Sequence, residues 1–224
     1  FYRNGQFSHL GEGESLVRFG INFGVPWGVP HSIIQNVRAN EDEIEYITAS
    51  LAFKAVSDYQ NHLYQQFAAA SYAQVATRVD ELVSRRIAFP PFKNSVFTTA
   101  KINFCDAPTV SRKNEDAAFD TMEVVTSFGS YDHTKGGHIV FADDHEMLEM
   151  PVGTTVLFPA GTKRYTFAAV GKNEHRYLFR QFCSAGVLRW VDKGGRTDRQ
   201  FASEASLEEQ AAWEDMHQQR GQTS

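Results

Sequence analysis

The stretch HRYLFRQFC, residues 175–183, has the alternating pattern that predicts a β-strand with two different faces. Successive side chains of a strand point to opposite sides of the sheet. The residues on one face are therefore Arg176, Leu178, Arg180 and Phe182. If this face is buried, two guanidinium groups lie in a mostly apolar interior. An unpaired buried charge is costly, so each group needs an anionic partner, either a ligand or a protein carboxylate.

Seven more short β-rich runs surround this stretch, from about Asn94 onward. They are VFTTAKINF, MEVVTSF, HIVF, EMLEM, TTVLF, RYTFAAV and VLRWV. Eight closely spaced short strands predict a sandwich, a barrel or a jelly roll. We expect this barrel to span residues 96–191.

The pattern before the strands is helical, over residues 42–86. Apolar residues that recur every four positions predict a buried helix face, and they are Ile47, Leu51, Ala55, Tyr59, Leu63 and Phe67. A second helix is predicted from Tyr72 to Arg86, and its buried face is Val75, Val79 and Val83. Together the two patterns predict an α+β fold in which the helices of residues 42–86 pack on one sheet of the barrel.

The two ends of the chain differ in composition and in predicted secondary structure. Residues 1–41 are rich in glycine and proline, as in GINFGVPWGVPHS, and predict an irregular surface segment that could include short strands. Residues 203–220 predict a carboxy-terminal helix, with Ser206 and Glu209 in the spacing of a capping box. No repeat and no long linker divides the sequence, so we expect one domain over residues 1–224.

Composition excludes some classes of function. The formal net charge of −5 disfavours a broad electrostatic grip on nucleic acid. The residues that could form a local basic groove are Arg85, Arg86, Arg112 and Lys113, although such residues more often form a solvated face. No apolar run approaches the length of a membrane helix. The two cysteines, Cys105 and Cys183, form no disulfide framework, so we expect an intracellular protein, in the cytoplasm or nucleus.

The segment YDHTKGGHIVFADDHEM, residues 131–147, contains three histidines that could in principle bind a metal. It predicts a hairpin with its turn near residues 142–144. His145 then lies at the tip, and His138 lies about four strand residues away, at roughly 3.3 Å per residue. His133 falls in a loop before the strand. We therefore expect that one metal cannot collect all three, while His138 alone could point into the barrel.

Four stretches resemble one family of enzymes. They are SYDHTKGGHIVF, PVGTTVLFPAGT, HRYLFRQFCSAGVLRWVDKGGRTD and FKNSVFTTAKINF. They resemble the Tet/JBP-type 2-oxoglutarate- and iron-dependent oxygenases, in a group abundant in mushroom-forming fungi, and the resemblance extends from near Phe53 to about Asp198. It implies a double-stranded β-helix, a jelly roll of two antiparallel sheets around a small-molecule site. It also implies Fe(II) held by two histidines and one carboxylate, and an arginine that binds 2-oxoglutarate.

The resemblance places the iron ligands on residues of other types. The H-x-D motif falls on Arg112-Lys113-Asn114, or on Asn114-Glu115-Asp116 after a two-residue slip. The distal histidine falls on Tyr165. Arg176, eleven positions further, stands where the family has the arginine that binds the far carboxylate of 2-oxoglutarate. The resemblance therefore implies a barrel that keeps the anion-binding arginine and has lost the iron triad.

A metal-free descendant of the oxygenase fold is the function that these residues favour. It would bind a small acidic molecule, either as a binding protein or as a catalyst that uses acid–base groups alone. The polar groups expected to line its cavity, and to catalyse any reaction, are Tyr165, Arg112 and His138. The residues expected to bind the ligand are Arg176, Arg180 and Asn114. Arg112 would place a positive charge where the family holds Fe(II).

Two other classes of function stay open from the sequence. The first is a working 2-oxoglutarate-dependent hydroxylase whose Fe(II) is held by other ligands, with His138, Asp116 and Tyr165 as candidates. The second is a non-catalytic nucleic-acid or protein interaction module, because Tet/JBP relatives act on a flipped base. The acidic net charge disfavours the nucleic-acid module.

Overall fold

The computed structural model describes residues 15–23, 28–32, 41–104 and 109–222. Its strands are β1 (Ser15–Asn22), β2 (His31–Ser32), β3 (Thr99–Phe104), β4 (Glu123–Ser130), β5 (Ile139–Phe141), β6 (Glu146–Leu148), β7 (Thr155–Phe158), β8 (Tyr165–Phe167) and β9 (His175–Phe182). Its helices are α1 (Glu41–Ala49), α2 (Leu51–Phe67), α3 (Ala69–Ser84), α4 (Ala185–Asp192), α5 (Asp198–Glu204) and α6 (Leu207–Gln222). None of the described helices is both long and apolar enough to cross a bilayer.

The strands form two sheets. The larger has the order β2-β1-β3-β9-β4-β7 and the smaller has the order β6-β5-β8. Every described strand pair is antiparallel. An isolated antiparallel bridge between Arg112 and Tyr165 extends the smaller sheet beyond β8. This α+β architecture is a double-stranded β-helix, as the sequence predicts.

Apolar side chains fill much of the space between the sheets. The buried cluster consists of Val125, Ile139, Phe141, Met150, Phe158, Ala160, Tyr165, Phe167 and Leu178. Its aromatic rings meet edge to face, with 4.8 Å between the centroids of Phe158 and Tyr165. Burial of such rings is a large apolar contribution to stability. The members from β9, β5 and β8 show which face of each strand points inward.

The amino-terminal helices pack on the outer face of the larger sheet, partly through a polar seam. Gln60 of α2 donates Nε2 to Thr126 Oγ1 at 2.8 Å and to the Phe179 carbonyl at 3.2 Å. Gln181 donates Nε2 to Gln60 Oε1 at 2.8 Å and accepts from Ser57 Oγ at 3.1 Å. These buried polar groups satisfy one another, and they set the position of α2 along the sheet.

The predicted buried face of α2 is wrong. Leu51 and Phe67 are 82% and 70% exposed. The residues of α2 that are buried include Ser57, Gln60 and Tyr64. The sheet presents polar groups to this helix, so hydrogen-bonding residues occupy much of the interface, and the repeat is half-buried at Leu63 and exposed at Leu51, Ala55, Tyr59 and Phe67. Ile47, the first residue of the predicted face, lies in α1 and is buried as predicted. In α3, by contrast, the predicted burial of Val75 and Val79 is confirmed.

The amino-terminal segment is less irregular than its composition predicts. Within residues 1–41, β1 is an eight-residue strand that pairs with β3 along six positions. Its alternate residues Val17, Phe19 and Ile21 are buried under the helices. The alternation is short and lies among glycines, so only the pairing with a strand about eighty residues away reveals it. The other predictions for residues 1–14, 24–27 and 33–40 lie outside the described residues.

Seven of the eight predicted strands are confirmed, and the run VLRWV is a helix instead. Its buried residues in α4 are Val187, Leu188, Trp190 and Val191, a spacing that one helix face produces. The helix ends where Gly194 and Gly195 adopt φ of 66° and 85°, a left-handed conformation that glycine reaches without strain. The strand region therefore ends with β9 at Phe182 rather than at residue 191.

The carboxy-terminal helix is divided in two. The single helix predicted over residues 203–220 is α5 and α6, with a break at Ala205 and Ser206. The predicted capping box at the start of α6 is confirmed. Ser206 N–H donates to Glu209 Oε2 at 2.8 Å, and Glu209 N–H donates to Ser206 Oγ at 3.1 Å. The helical layer predicted over residues 42–86 consists of three helices between residues 41 and 84.

Candidate functional site

Three cationic side chains cross the inner face of the larger sheet side by side. In the strand register Arg18 of β1 lies opposite Lys101 of β3, and Lys101 lies opposite Arg180 of β9. Cross-strand partners point to the same face, so all three point toward the barrel interior. Their side chains are 16%, 13% and 10% exposed. We call these three residues the cationic row; sequence reasoning identified only Arg180 among them.

Arg180 has a carboxylate partner inside the protein. Its Nε donates to Glu123 Oε1 at 2.5 Å, and Glu123 is fully buried. Asn114 Nδ2 donates to the other carboxylate oxygen at 2.7 Å, and Arg180 Nη2 donates to the Tyr165 hydroxyl. Asn114 therefore contacts Glu123. The alternation of MEVVTSF could have indicated Glu123, because it puts this residue on the same face as the inward Val125.

The pKa shifts of Tyr165 and Arg180 keep a neutral phenol beside a charged guanidinium. Burial raises the pKa of Tyr165 above its usual value, although the Arg180 guanidinium opposes the shift. Burial lowers the pKa of Arg180, but the Glu123 carboxylate and Tyr165 outweigh it, so the net direction is upward. Arg180 and Glu123 therefore neutralise each other at the centre of the site.

Asp116 binds the other two members of the cationic row. Arg18 Nη1 donates to Asp116 Oδ2 at 2.9 Å, and Lys101 Nζ lies 3.5 Å from the same oxygen. The Asp116 side chain is 47% exposed. Two cations thus share one carboxylate. Because this carboxylate is half exposed, it lies on the solvent side of the cationic row. The proposed iron ligand Asp116 is engaged in ion pairs.

Lys101 has an electrostatically unfavourable position for an ammonium group. Burial lowers its pKa most, and the neighbouring Arg180 and Arg18 lower it further, to about 8. Its Nζ lies 4.6 Å from the centroid of the Phe182 ring. A fraction of Lys101 is therefore the neutral amine near physiological pH.

Several polar atoms beside this lysine are buried without a partner. Within the described part of the chain, Arg18 Nε and Nη2 have no hydrogen-bond partner, and neither does Asn103 Oδ1. Arg18 Nε and Nη2 form the side-on edge of the guanidinium, which matches the two oxygens of a carboxylate. Asn103 lies two residues from Lys101 on β3, so it belongs to the same face. The cationic row thus has a preformed pair of donors that no acceptor among the described residues binds.

Arg176 points inward as predicted, and it is completely enclosed. Its Nη1 donates to the Ala168 carbonyl at 2.6 Å. Its guanidinium carbon lies 5.4 Å from the centroid of the Phe167 ring, and that of Arg180 lies 5.8 Å from the same centroid. Phe167 therefore contacts both arginines. Arg180 belongs to the cationic row, whereas Arg176 is fully buried inside the barrel.

The three candidate iron ligands of the hydroxylase hypothesis are not brought together. In the β5–β8 ladder Phe141 lies opposite Tyr165. The backbone carbonyl of His138 accepts a hydrogen bond from Ala168 N–H at 2.9 Å. His138 is therefore three ladder positions, roughly 10 Å, from Tyr165. Ile139 points into the barrel, so the adjacent His138 points the other way.

The remaining histidines of the segment 131–147 also lie apart. Ile139 pairs with Leu148, which leaves His138 near Glu149 at the far end of the hairpin, as predicted. His133 contacts the Glu149 carboxylate at 3.1 Å, and the exposed His145 lies in the turn with φ of 57°. Within the described residues, no group of three histidine, cysteine or carboxylate side chains could hold a metal ion.

The basic residues considered for a groove contact different parts of the fold. Arg112 is exposed and is bridged to Tyr165, so it lies at the rim of the barrel. Arg85 forms an ion pair with Glu81 at 2.7 Å and lies over the Trp190 ring. These contacts are of the kind expected for a solvated surface.

Comparison with known proteins identifies the fold and leaves the function open. No family model matches the chain, and no curated protein matches it. Among solved structures it is similar to NgTET1 in complex with 5mC DNA, with 12% sequence identity and a TM-score of 0.60, over 77% of this chain and 61% of that chain. It is also similar to a 2OG-Fe(II) oxygenase family protein from Burkholderia pseudomallei, with 13% identity and a TM-score of 0.42, over 78% of this chain and 72% of that one.

The likeness to NgTET1 supports a Tet-like fold for this chain. At 12% identity it shows the fold alone, and the chain spans about 61% of the length of the NgTET1 chain. Function must therefore be inferred from the site itself.

Proposed function

We propose that this protein binds a small carboxylic acid inside its oxygenase-like barrel without iron, as a binding protein or as a metal-independent catalyst. The acid is held by the cationic row. The observation that carries the proposal is the side-on edge of Arg18, whose Nε and Nη2 are buried and have no partner among the described residues. A carboxylate accepts both N–H groups at once.

The charge balance of the site favours an anionic ligand. With Lys101 protonated, three cations face two carboxylates, Glu123 and Asp116. Arg180 and Asn114 bind both carboxylate oxygens of Glu123, so this carboxylate does little to neutralise Arg18 and Lys101. A carboxylate beside Arg18 and Lys101 would neutralise the excess charge and satisfy donors that otherwise remain desolvated. An unsatisfied buried donor destabilises the folded protein by about 1–3 kcal/mol, and a bound ligand that accepts its hydrogen bond removes this cost.

The donor set supports a site without iron. The positions that the resemblance assigns to iron carry Arg112, Asn114 and Tyr165, or Asp116 after the slip. Tyr165 and Asn114 are bonded to the Arg180–Glu123 pair, and Asp116 is bonded to two cations. These residues do not fit an iron centre of two histidines and one carboxylate, because a guanidinium takes the carboxylate that a metal would need.

Accessibility favours Arg18 over Arg176 as the carboxylate clamp. The family resemblance assigns the acid to Arg176, but this residue is fully buried and hydrogen-bonded to Ala168. Arg18 lies beside the half-exposed Asp116 and its side chain is 16% exposed, so an acid has a shorter path to Arg18 than to Arg176.

Calorimetric titration of 2-oxoglutarate and pyruvate, with a chelator and then with Fe(II), tests this proposal. We expect binding in the presence of the chelator. Arg18→Met should weaken it roughly ten- to a hundredfold, because a hydrogen bond to a charged group contributes about 1.5–3 kcal/mol. Arg18→Lys should recover only part, since a point charge cannot reproduce the planar fork.

Two further variants serve as controls. Arg189→Met makes the same change of charge on α4, away from the row, and should bind acids like the wild type. Arg176→Met tests the alternative clamp, and a selective loss of affinity in this variant would move the site to Arg176. Binding that requires Fe(II) would favour the hydroxylase instead. Unchanged affinity in a folded Arg18→Met protein would refute the proposal.

A further inference from the structure

We propose that Lys101 captures carbonyl groups, so that its Nζ forms an imine with a 2-oxo acid whose carboxylate is bound to Arg18. This inference rests on the proposed function, because it requires an acid at the cationic row. It identifies the ligand class as acids that carry a ketone next to the carboxylate.

The position of Lys101 differs from that of a lysine held for structural reasons. Lys193 is also nearly buried, and its Nζ forms a 2.8 Å ion pair with Asp198 and lies 4.4 Å from the Trp213 ring. Lys101 has its described carboxylate contact at 3.5 Å, with an oxygen that Arg18 binds more closely. It is flanked in the sheet by two arginines. An ordinary ion pair therefore does not account for its burial.

The strand register places the Arg18 guanidinium and the Lys101 amine close together. Arg18 and Lys101 are direct cross-strand partners, whose Cβ atoms stand about 5 Å apart on one face. In a 2-oxo acid the carbonyl carbon is bonded directly to the carboxylate carbon. Arg18 Nη1 and Lys101 Nζ contact the same Asp116 oxygen, at 2.9 Å and 3.5 Å, so an acid bound to the Arg18 guanidinium lies in the neighbourhood of the Lys101 amine.

The chemistry balances with groups present at the site. The neutral amine of Lys101 adds through its nitrogen lone pair to the carbonyl carbon, and the carbon–nitrogen bond forms as the carbonyl π bond breaks. The resulting carbinolamine loses its oxygen as water to give the imine. Protons pass between nitrogen, the departing oxygen and Asp116, whose carboxylate lies 3.5 Å from Nζ and is open to solvent.

The surroundings also favour a neutral amine. Burial and the two neighbouring arginines depress the pKa of Lys101 to about 8. Desolvation and an adjacent cation are the usual means by which proteins activate a lysine for imine formation. The charged groups that face it are Arg18 of β1, Arg180 of β9, Glu123 of β4 and Asp116 of the segment before β4.

Borohydride trapping in the full chain tests the inference. The protein is incubated with pyruvate or 2-oxoglutarate, treated with sodium cyanoborohydride and analysed by intact mass and peptide mapping. We expect one adduct, on the peptide that contains Lys101. Lys101→Arg has no amine that can form an imine, so it should lose the adduct even at acid concentrations that saturate the variant. Lys193→Arg is the matched control and should be trapped like the wild type.

The 2-hydroxy analogues separate this inference from the proposed function. Lactate and 2-hydroxyglutarate have the same carboxylates and no ketone, so they should bind and leave no adduct. If oxo and hydroxy acids both bind but Lys101 carries no adduct, or if Lys101→Arg is trapped equally well, imine formation is excluded and acid binding stands. If neither kind of acid binds, the proposed function fails and this inference fails with it.

Discussion

Two buried charge clusters in this molecule have opposite balances. At the junction of α3, α4 and the segment before β4, Arg78 has two carboxylate partners, with Nη2 2.9 Å from Asp120 and Nη1 3.5 Å from Asp192. Inside the barrel the proportion is reversed, because the three cations of the cationic row share Glu123 and Asp116. The Arg78 cluster joins elements of the fold, whereas the row has donors without acceptors among the described residues.

This difference separates a structural cluster from a candidate functional one. A buried charge that serves only the fold is fully paired, because any unpaired group lowers stability. Polar groups that remain unpaired, together with a lysine of perturbed pKa, are typical of sites that bind ligands or react. Arg78 and Arg18 thus have the same side chain and different expected roles, and Arg18 is the more exposed of the two, at 16% against 6%.

The largest expected effect is on the centre of the barrel. Glu123→Gln removes the charge that pairs with Arg180 and leaves a buried guanidinium uncompensated. We expect the free energy of unfolding to fall by about 3–5 kcal/mol, measured by urea denaturation. The double variant Glu123→Gln/Arg180→Met should recover much of the loss, because it removes both charges. A loss below about 1 kcal/mol in the single variant would contradict the importance of this pair.

Arg78→Met contrasts the two clusters directly. It leaves Asp120 and Asp192 close together without their cation, so we expect a loss of stability of about 3 kcal/mol. Affinity for 2-oxoglutarate should not change, because Arg78 lies outside the barrel. A parallel loss of acid affinity, at a temperature where the variant is folded, would mean that the two clusters are coupled.

The pH dependence of the free energy of unfolding measures how strongly the cationic row disfavours the protonated form of Lys101. The pKa of Lys101 is about 8 in the folded protein and 10.5 as its ordinary value. Between these values the unfolded chain binds the extra proton, so stability rises with pH. Relative to Lys101→Met, the wild type should gain about 2 kcal/mol from pH 8 to 9.5, at about 1.36 kcal/mol per pH unit. A flat difference over this range would show that Lys101 is not perturbed.

The smallest effect is expected at the solvent side of the row. Asp116→Asn breaks an ion pair whose carboxylate is half exposed, so stability should change by less than about 1 kcal/mol. Affinity for 2-oxoglutarate at low salt should rise severalfold, because the substitution removes a negative charge beside Arg18. Weaker binding would indicate that Asp116 is needed to orient the Arg18 guanidinium.

The local periodicities of this protein can be read from its sequence alone. The alternation of residues 175–183 was enough to place Arg176 and Arg180 on the inner face of a strand, and the spacing of Ser206 and Glu209 was enough to place a helix start. It also predicted that an inward arginine needs an anionic partner, which Arg180 has in Glu123. These features depend on neighbouring residues only, so they can be read directly along the chain.

Which charged partners meet depends on the three-dimensional packing of the chain. Glu123 lies 57 positions from Arg180, and Arg18 lies 83 positions from its neighbour Lys101, so strand register alone brings these charges together. The buried face of α2 was decided by the polar seam on the sheet, and the run VLRWV became a helix because its apolar residues cover α3 and β1. Register and burial arise from long-range packing, and no local pattern encodes them. The same holds for the unpaired edge of Arg18, whose significance depends on everything that surrounds it.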